Sequence, residues 1–269
     1  MTRRWRVYAL VREHEPALAE LGVTQLVGDL DRPSSLRRLA GLAHAVLHSA
    51  PPPDQGADDP RTQRLIAALE RGSLPRQLVY ISTTGVYGDC GGARVFETRR
   101  VAPHTARAQR RVAAERRLRA FGAATGCRVS ILRAPGIYAA ERLPLERLRR
   151  GLPVFAAAED AYTNHIHADD LARACIAALW RGSAGRIYNV CDDSDLPMGD
   201  WYDKLADAFG LPRPPRRSRA EVEAVVAPAV LSFMNESRRL DNRRLKQELN
   251  LRLRYPTVDA GIAAAKGNP

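Results

Sequence analysis

The 269-residue sequence has few cysteines, few lysines and no long apolar run, and each shortage excludes a class of protein. Its four cysteines lie far apart with no C-x-x-C pair, which argues against a zinc site or redox motif and fits reduced thiols. No run approaches the roughly 18 apolar residues of a membrane span, and no secretory leader is recognisable. We therefore expect a cytoplasmic protein with no membrane partner.

The positive charge comes almost entirely from arginine. The net charge is +12 and the sequence pI about 10.2, yet only Lys204, Lys246 and Lys266 are lysines. A basic face is the electrostatic footprint of phosphate binding, so a nucleic-acid role is one hypothesis. However, the arginines are spread over helical segments with apolar residues between them, which is typical of solvated helix faces. We expect no nucleic-acid partner.

Apolar runs and helical stretches alternate through most of the chain. Near-continuous apolar strands separated by amphipathic helices indicate a parallel sheet covered on both faces. The predicted fold is therefore α/β, a Rossmann-like doubly wound parallel sheet. The six predicted strands are RVYALV, TQLVGDL, HAVLHSA, QLVYIST, RVSILRA and RIYNVCD. The five predicted helices between them are EPALAELG, PSSLRRLAGL, DPRTQRLIAALERG, ARAQRRVAAERRLRAFG and ADDLARACIAALWRG.

The alternation stops after Val190. One more helix is predicted over 199–209, followed by the proline-rich LPRPPRR and a helix around 220–230. We predict a dinucleotide-binding domain over 1–195 and a smaller, mostly helical lobe over 196–269 on the substrate side. Residues 139–165 are expected to contribute to that lobe.

The stretch LVYISTTGVYGDCGG is the first specific signal for a site. A strand ends in Ser82, Thr83 and Thr84, and open α/β sheets bind ligands at the carboxyl ends of their strands. The alternative is a polar strand end that caps the next loop.

Several motifs follow in a fixed order. They are APHTARAQRRVAAERRL, VSILRAPGIYAAERLPLERLRRGLPVF, NHIHADDLARACIAAL and RIYNVCDDSDLPMGDWYDKLADAFG. Together with the S-T-T and V-Y-G residues, this series closely resembles the extended and atypical short-chain dehydrogenase/reductases, the NAD-dependent epimerase/dehydratase proteins. The resemblance runs from about Arg6 to Ala265. It implies NAD(P)-dependent oxidoreductase, epimerase or dehydratase chemistry on a small carbonyl or sugar-like substrate.

The resemblance implies catalytic positions. Thr83, with Thr84 beside it, matches the residue that hydrogen-bonds the substrate oxygen. The family's Tyr-x-x-x-Lys pair falls on Arg107 and Arg111, so the sequence departs from the pattern at both positions. Arginine keeps the positive charge and can donate to a ribose hydroxyl, but it is not a proton shuttle at neutral pH.

Two tyrosines are candidates to replace the missing phenol. Tyr87 and Tyr138 are the phenols nearest to the site in this layout, and either could substitute for the family tyrosine. The other interpretation of each is a packed or loop-anchoring side chain.

The resemblance also implies a cofactor site. Arg12 follows the first strand at the position where an acidic residue selects NAD and an arginine accommodates the 2′-phosphate of NADP, so NADP is favoured over NAD. Arg12 is alternatively one more surface arginine. Three further segments complete the predicted cofactor site: Asp29 and Leu30 at the adenine, Ser49, Ala50 and Pro51 at the adenosine ribose, and Pro135, Gly136 and Ile137 beside the nicotinamide.

The glycine-rich turn that holds a pyrophosphate is absent before RVYALV. RVYALV therefore matches the second strand of the fold, and RVYALV and HAVLHSA lose the neighbour that they would share. Exposed sheet edges are normally avoided, so either these two strands pair with each other or the native protein has more N-terminal sequence. We favour the second explanation, with Met1 as a misplaced gene start.

His165, His167 and Asp170 have a spacing that resembles a metal site. In the family this stretch ends a short strand and starts a helix, so we expect no metal.

Three functional hypotheses remain at this point. The first is an NAD(P)-dependent enzyme with a small-molecule substrate. The second is a catalytically silent relative that binds a dinucleotide or a partner, which Arg107 favours. The third is nucleic-acid binding. A homodimer is left open.

Overall fold

The structure, a computed structural model, describes residues 5–267. Its strands are β1 Tyr8–Val11, β2 Thr24–Val27, β3 Ala45–His48, β4 Gln77–Thr83, β5 Arg94–Val95, β6 Arg128–Ala134, β7 Gly136–Tyr138, β8 Val154–Phe155, β9 Tyr162–Thr163, β10 His165–His167, β11 Arg186–Asn189, β12 Leu196–Pro197, β13 Arg216–Arg217 and β14 Arg239–Leu240. Its α-helices are α1 Pro16–Glu20, α2 Pro60–Leu69, α3 Ala106–Thr125, α4 Leu145–Arg149, α5 Ala168–Arg181, α6 Met198–Phe209, α7 Arg219–Val225, α8 Pro228–Met234, α9 Arg243–Glu248 and α10 Val258–Gly267. All six strands that the apolar runs predict are present.

The main sheet is parallel, in the order β11-β6-β4-β3. Its central pair, β4 and β6, runs in register from Gln77 opposite Arg128 to Thr83 opposite Ala134. Leu78 packs in one hydrophobic cluster with α2 and α3, whereas the next residue, Val79, packs in another with α5. Successive strand residues point to opposite faces, so helices cover both sides of the sheet. The predicted doubly wound α/β fold is confirmed.

The sheet is interrupted between β1 and β3. Within residues 5–267, β1 pairs only with β2, and β3 pairs only with β4. The expectation that β1 and β3 could pair with each other is therefore wrong. Trp5, just before β1, contacts Trp180 of α5 edge-on with ring centroids 4.9 Å apart. Large apolar side chains are exposed on the elements that flank the break: Trp5, Val7, Leu47, Ile176 and Trp180.

Two predicted helices differ from those observed. Residues Pro33–Leu39 form a 3₁₀ helix rather than an α-helix. The single helix predicted around 220–230 is two helices, because α7 ends at Val225 and α8 begins at Pro228. Proline fits the first turn of a helix but not its interior, since it lacks a backbone N–H.

The C-terminal part packs against a central part of the chain. Leu148 and Val154 share a hydrophobic cluster with Leu205 of α6 and Val258 of α10. The short strands β8 and β9 pair with β13 and β12. Residues 139–165 are thus in contact with the segments beyond 196. No helix in the described part of the chain is long and apolar enough to cross a membrane.

Candidate active site at the carboxyl end of the sheet

A cavity of about 290 Å³ opens at the carboxyl end of β4. Five residues that the sequence predicts for the site line it together: Thr83, Thr84, Pro135, Gly136 and Ile137. The carboxyl ends of parallel strands meet at one edge of the sheet. Because Thr83 ends β4 and lies opposite Ala134 at the end of β6, the threonines and the segment after β6 become neighbours.

Thr83 lies where the chain turns from β4 into a 3₁₀ helix over Thr84–Tyr87. Its Oγ1 accepts a hydrogen bond from the Gly85 N–H at 3.3 Å, so it also caps this turn. The hydroxyl proton stays available to donate to a ligand oxygen. Thr84 is almost fully buried, which leaves Thr83 as the better-placed donor.

Arg107 enters the cavity from the first turn of α3. Thr105 caps this helix by accepting a hydrogen bond from the Ala108 N–H at 3.2 Å. The Arg107 guanidinium carbon lies 4.2 Å from the ring centroid of Phe233, which also lines the cavity. Desolvation lowers the pKa of Arg107, against the opposite effect of the Glu236 carboxylate. The position of the family tyrosine therefore holds a cation that faces a carboxylate.

Arg111 lies one helical turn further on and is not among the cavity-lining residues. Its Nη1 donates to the hydroxyl of Tyr80 at 2.9 Å and to the carbonyl of Ile81 at 2.8 Å. These bonds tie α3 to β4. A contact of Arg111 with a ribose hydroxyl stays a prediction.

The two candidate tyrosines are packed elsewhere. The buried hydroxyl of Tyr87 donates to Asn189 Oδ1 at 2.7 Å, and burial raises the pKa of Tyr87 to about 12. Tyr138 contributes its ring to the cavity wall, but its hydroxyl lies against α10, where a Cβ atom on Gly261 would be 2.1 Å away. Both tyrosines thus adopt the packed, loop-anchoring arrangement rather than presenting a phenol to the cavity.

The predicted adenosine-side residues follow the carboxyl ends of β1, β2 and β3. Arg12 is exposed and makes no side-chain hydrogen bond or ion pair within residues 5–267. The Asp29 carboxylate accepts a hydrogen bond from the Asp31 N–H at 2.8 Å, and Leu30 is buried. Ser49 is exposed and Ala50 half-buried.

Arg61 and Arg64, which the motifs do not single out, brace this end of the sheet. Arg61 donates to the Pro51 carbonyl at 3.0 Å, and Arg64 donates to the Leu30 carbonyl at 3.2 Å. Both also pair with Asp31, and the hydrogen bond from Arg61 holds the pKa of that carboxyl below its usual range.

Glu236, which sequence reasoning missed, is the only carboxylate among the described residues that line the cavity. It pairs with Arg238 Nη1 at 2.8 Å, and both side chains are about nine-tenths buried. A Cβ atom on Gly85 would lie 3.6 Å from Thr83 Oγ1 and 3.8 Å from Glu236 Oε2, so hydroxyl and carboxylate flank the same glycine. The segment after α8 matches no motif, so no sequence signal points to Glu236.

His165 also lines the cavity and was expected only as part of a structural stretch. Its ring stacks on Trp201 with centroids 4.2 Å apart, and burial lowers its pKa to about 3. Its Nδ1 is buried and has no hydrogen-bond partner in the described part of the chain. The ring is therefore neutral, and this nitrogen lies in the protein interior without a partner.

The neighbouring His167 and Asp170 have structural partners. His167 Nδ1 accepts from the Asp169 N–H at 3.2 Å and caps α5, and Asp170 accepts from the backbone N–H groups of Arg254 and Tyr255. Residues 5–267 contain no group of three or more His, Cys, Asp or Glu side chains that could hold a metal ion.

A buried ion pair holds the frame beneath the cavity. Glu115 of α3 accepts from Arg133 of β6 at 2.6 and 3.0 Å and from the hydroxyl of Ser82 of β4 at 2.6 Å. Because one carboxylate binds two strands and a helix, the end of β4 is fixed relative to α3. Sequence reasoning used Glu115 only to count positions.

The residues present fit the two ends of a nicotinamide dinucleotide. Arg12, at the end of β1 where the adenosine would lie, is an exposed cation without a partner in residues 5–267, and Pro135–Ile137 line the cavity where the nicotinamide would lie. No glycine-rich strand-to-helix turn precedes β1 within residues 5–267.

These features define a Rossmann-like protein with a site at the carboxyl edge of its sheet. The sequence profile of the NAD dependent epimerase/dehydratase family matches residues 3–191. The chain belongs to this family, as the ordered motifs indicated.

Three comparisons describe its relatives. The chain is 26% identical over 245 residues to GDP-6-deoxy-D-mannose reductase of Pseudomonas aeruginosa, covering 81% of this chain and 76% of the relative. A functionally unknown conserved protein from Silicibacter pomeroyi has a similar structure, with a TM-score of 0.79 and 31% identity over 98% of this chain and 90% of the other. RMD from P. aeruginosa, solved with NADPH, matches with a TM-score of 0.70 and 20% identity over 89% and 86% of the two chains.

The family and its named members are enzymes of nicotinamide chemistry. This favours the enzyme hypothesis over the catalytically silent alternative that the arginine at position 107 suggested.

Proposed function

We propose that this protein is a nicotinamide-dinucleotide-dependent oxidoreductase of the epimerase/dehydratase type that acts on the sugar of a sugar nucleotide. The observation that supports this most is the cavity that Thr83 and the Pro135–Ile137 segment line together. The reductase relative, named for a GDP-linked deoxy sugar, supports the substrate class. Family resemblance alone does not name the substrate.

The cofactor would lie along the carboxyl edge of the sheet. Asp29 and Leu30 would contact the adenine, Ser49 to Pro51 the adenosine ribose, and Pro135 to Ile137 the nicotinamide. The exposed, unpaired Arg12 favours NADP over NAD, since a guanidinium binds a 2′-phosphate. A bound nicotinamide supplies the hydride acceptor or donor of the reaction.

The protein's own residues orient the substrate and move the proton. Thr83 donates a hydrogen bond to the reacting oxygen. Arg107 stays protonated, so it cannot take the proton of a substrate hydroxyl. Glu236, which is paired with Arg238 and lies beside Gly85 as Thr83 does, accepts that proton in oxidation and returns it in reduction.

The proposal includes a cytoplasmic location, which the four free and buried cysteines support. A homodimer stays a prediction.

The test is NADPH- and NADP-dependent turnover of a panel of 4-keto and 4-hydroxy sugars linked to GDP, UDP or dTDP. We expect Glu236→Gln to lower kcat by about 100-fold or more, the usual worth of an acid or base, with KM nearly unchanged. Thr83→Ala should lower kcat/KM, whereas Thr98→Ala on an exposed loop should change neither.

The double variant Arg107→Tyr/Arg111→Lys separates two explanations. Because Glu236 already moves the proton, we expect no large gain in turnover. The contrary result is a large gain in turnover, with Glu236→Gln still active both in the wild type and in the double variant. It would show that the site once used the family tyrosine and has lost it.

A further inference from the structure

A second cavity, here called the arginine cavity, lies on the protein away from the candidate active site. It has a volume of about 500 Å³ and lies between α3, the loop after β5, the edge strand β11 and α9. It shares no lining residue with the cavity at the end of β4. None of the predicted site residues lies in it.

Seven arginines line this cavity, and carboxylates balance three of them. Arg133 pairs with Glu115 at 2.6 Å, Arg244 with Glu97 at 3.7 Å, and Arg186 with Glu248. The two carboxylates that line the cavity also accept other hydrogen bonds. Glu97 accepts one from the Asn189 N–H, and Glu115 accepts one from the Ser82 hydroxyl.

The other four arginines have no such partner. They make no side-chain hydrogen bond or ion pair with any residue in the range 5–267. They are Arg99, Arg100, Arg116 and Arg119. Guanidinium groups that converge on one concavity repel one another unless an anion lies between them.

The floor of the cavity is chemically different from its rim. Val101, Val112 and Ile187 provide apolar surface. Arg133 is 97% buried, stacks on the ring of Tyr87, and has an Nη1 atom without a hydrogen-bond partner in the described structure. The volume lies within the range of small-molecule pockets, roughly 300–1,000 Å³.

We propose that the arginine cavity binds an organic diphosphate of nucleotide size. Four unpaired guanidiniums match two phosphoryl groups, each with about one to two negative charges, and guanidinium forks bind phosphate oxygens in pairs. The apolar floor takes the nucleoside part. This inference does not depend on the oxidoreductase proposal.

Calorimetric titration of the protein with ADP, GDP and inorganic pyrophosphate tests the site. We expect saturable one-to-one binding of a nucleoside diphosphate, weakened about tenfold or more in Arg116→Ala/Arg119→Ala, because charged hydrogen bonds to phosphate are lost. The matched control, Arg149→Ala/Arg150→Ala, removes the same charge from an exposed helix end and should leave the affinity unchanged. Arg12→Ala should also leave it unchanged, which separates this site from the cofactor site.

Four results would overturn the proposal. The first is absence of binding. The second is an equal loss of affinity in the two double variants, because that would indicate only an effect of general surface charge. Equal affinity for pyrophosphate and ADP would show that the cavity does not bind the nucleoside. A gel shift of duplex DNA that needs Arg116 and Arg119, without saturable ADP binding, would assign the surface to nucleic acid instead.

Discussion

Arg107 determines which residues can move a proton in the candidate site. The tyrosine position holds a guanidinium stacked on Phe233, and the two nearby tyrosines direct their hydroxyls to Asn189 and to α10. Among the described residues that line the cavity, Glu236 is the only carboxylate. The proposed proton acceptor therefore comes from the C-terminal part of the chain rather than from α3.

His48 is expected to make the protein sensitive to acid. It is buried beside β4, its Nε2 is 2.9 Å from Thr62 Oγ1, and burial lowers its pKa to about 4. Its pKa in the unfolded chain is near 6.5, so the unfolded state binds a proton that the folded state does not between pH 6.5 and 4. The free energy of unfolding should therefore fall as the pH drops through this window, by up to about 1.4 kcal/mol per pH unit.

His48→Gln tests this, because the amide can still bond to Thr62 but does not titrate. Denaturant unfolding at pH 7 and pH 5 should show a weaker pH dependence in this variant than in the wild type, and an unchanged dependence in the exposed control His104→Gln. His165 changes the free energy of unfolding with pH in the same direction as His48. Asp192 has the opposite effect, because burial raises its pKa to about 7. An unchanged slope in His48→Gln would contradict the assignment.

At the scale of elements, the strands and long helices were predictable because their patterns are local. The apolar run of β4 is enough to predict a strand. The N-cap residue and the terminal glycine of α3 are enough to predict where that helix begins and ends. The 3₁₀ helix at Pro33–Leu39 was not predictable, since its apolar spacing also suits an α-helix. Glu236 was not predictable either, because residues far apart in sequence bring it to Gly85.

The interruption between β1 and β3 should be visible in hydrogen exchange. A two-stranded sheet is marginally stable, and β1 with β2 has no strand neighbour in the described chain. We expect the amides of Leu10 and Leu26 to exchange much faster than those of Val79 and Leu132, measured by mass spectrometry on the native protein. Equal protection in the two sheets would show that β1 and β2 are stabilised in another way.

At the scale of the whole molecule, the sequence predicted the family and the fold class correctly, whereas the site residues stay a prediction. The fold places Thr83, Thr84 and Pro135–Ile137 in one cavity, as the motifs imply. The net charge is +12, and four arginines without a side-chain partner in residues 5–267 line the arginine cavity.

The central claim is that a nicotinamide dinucleotide binds at the carboxyl edge of this sheet. Its most direct test is a fluorescence titration with NADPH and NADH, performed on the 269-residue protein and on the product of any in-frame codons upstream of Met1. We predict saturable NADPH binding that Arg12→Glu weakens about tenfold or more, with little effect on NADH, since one charged contact to phosphate is lost. Absence of nicotinamide binding by both proteins would contradict the claim.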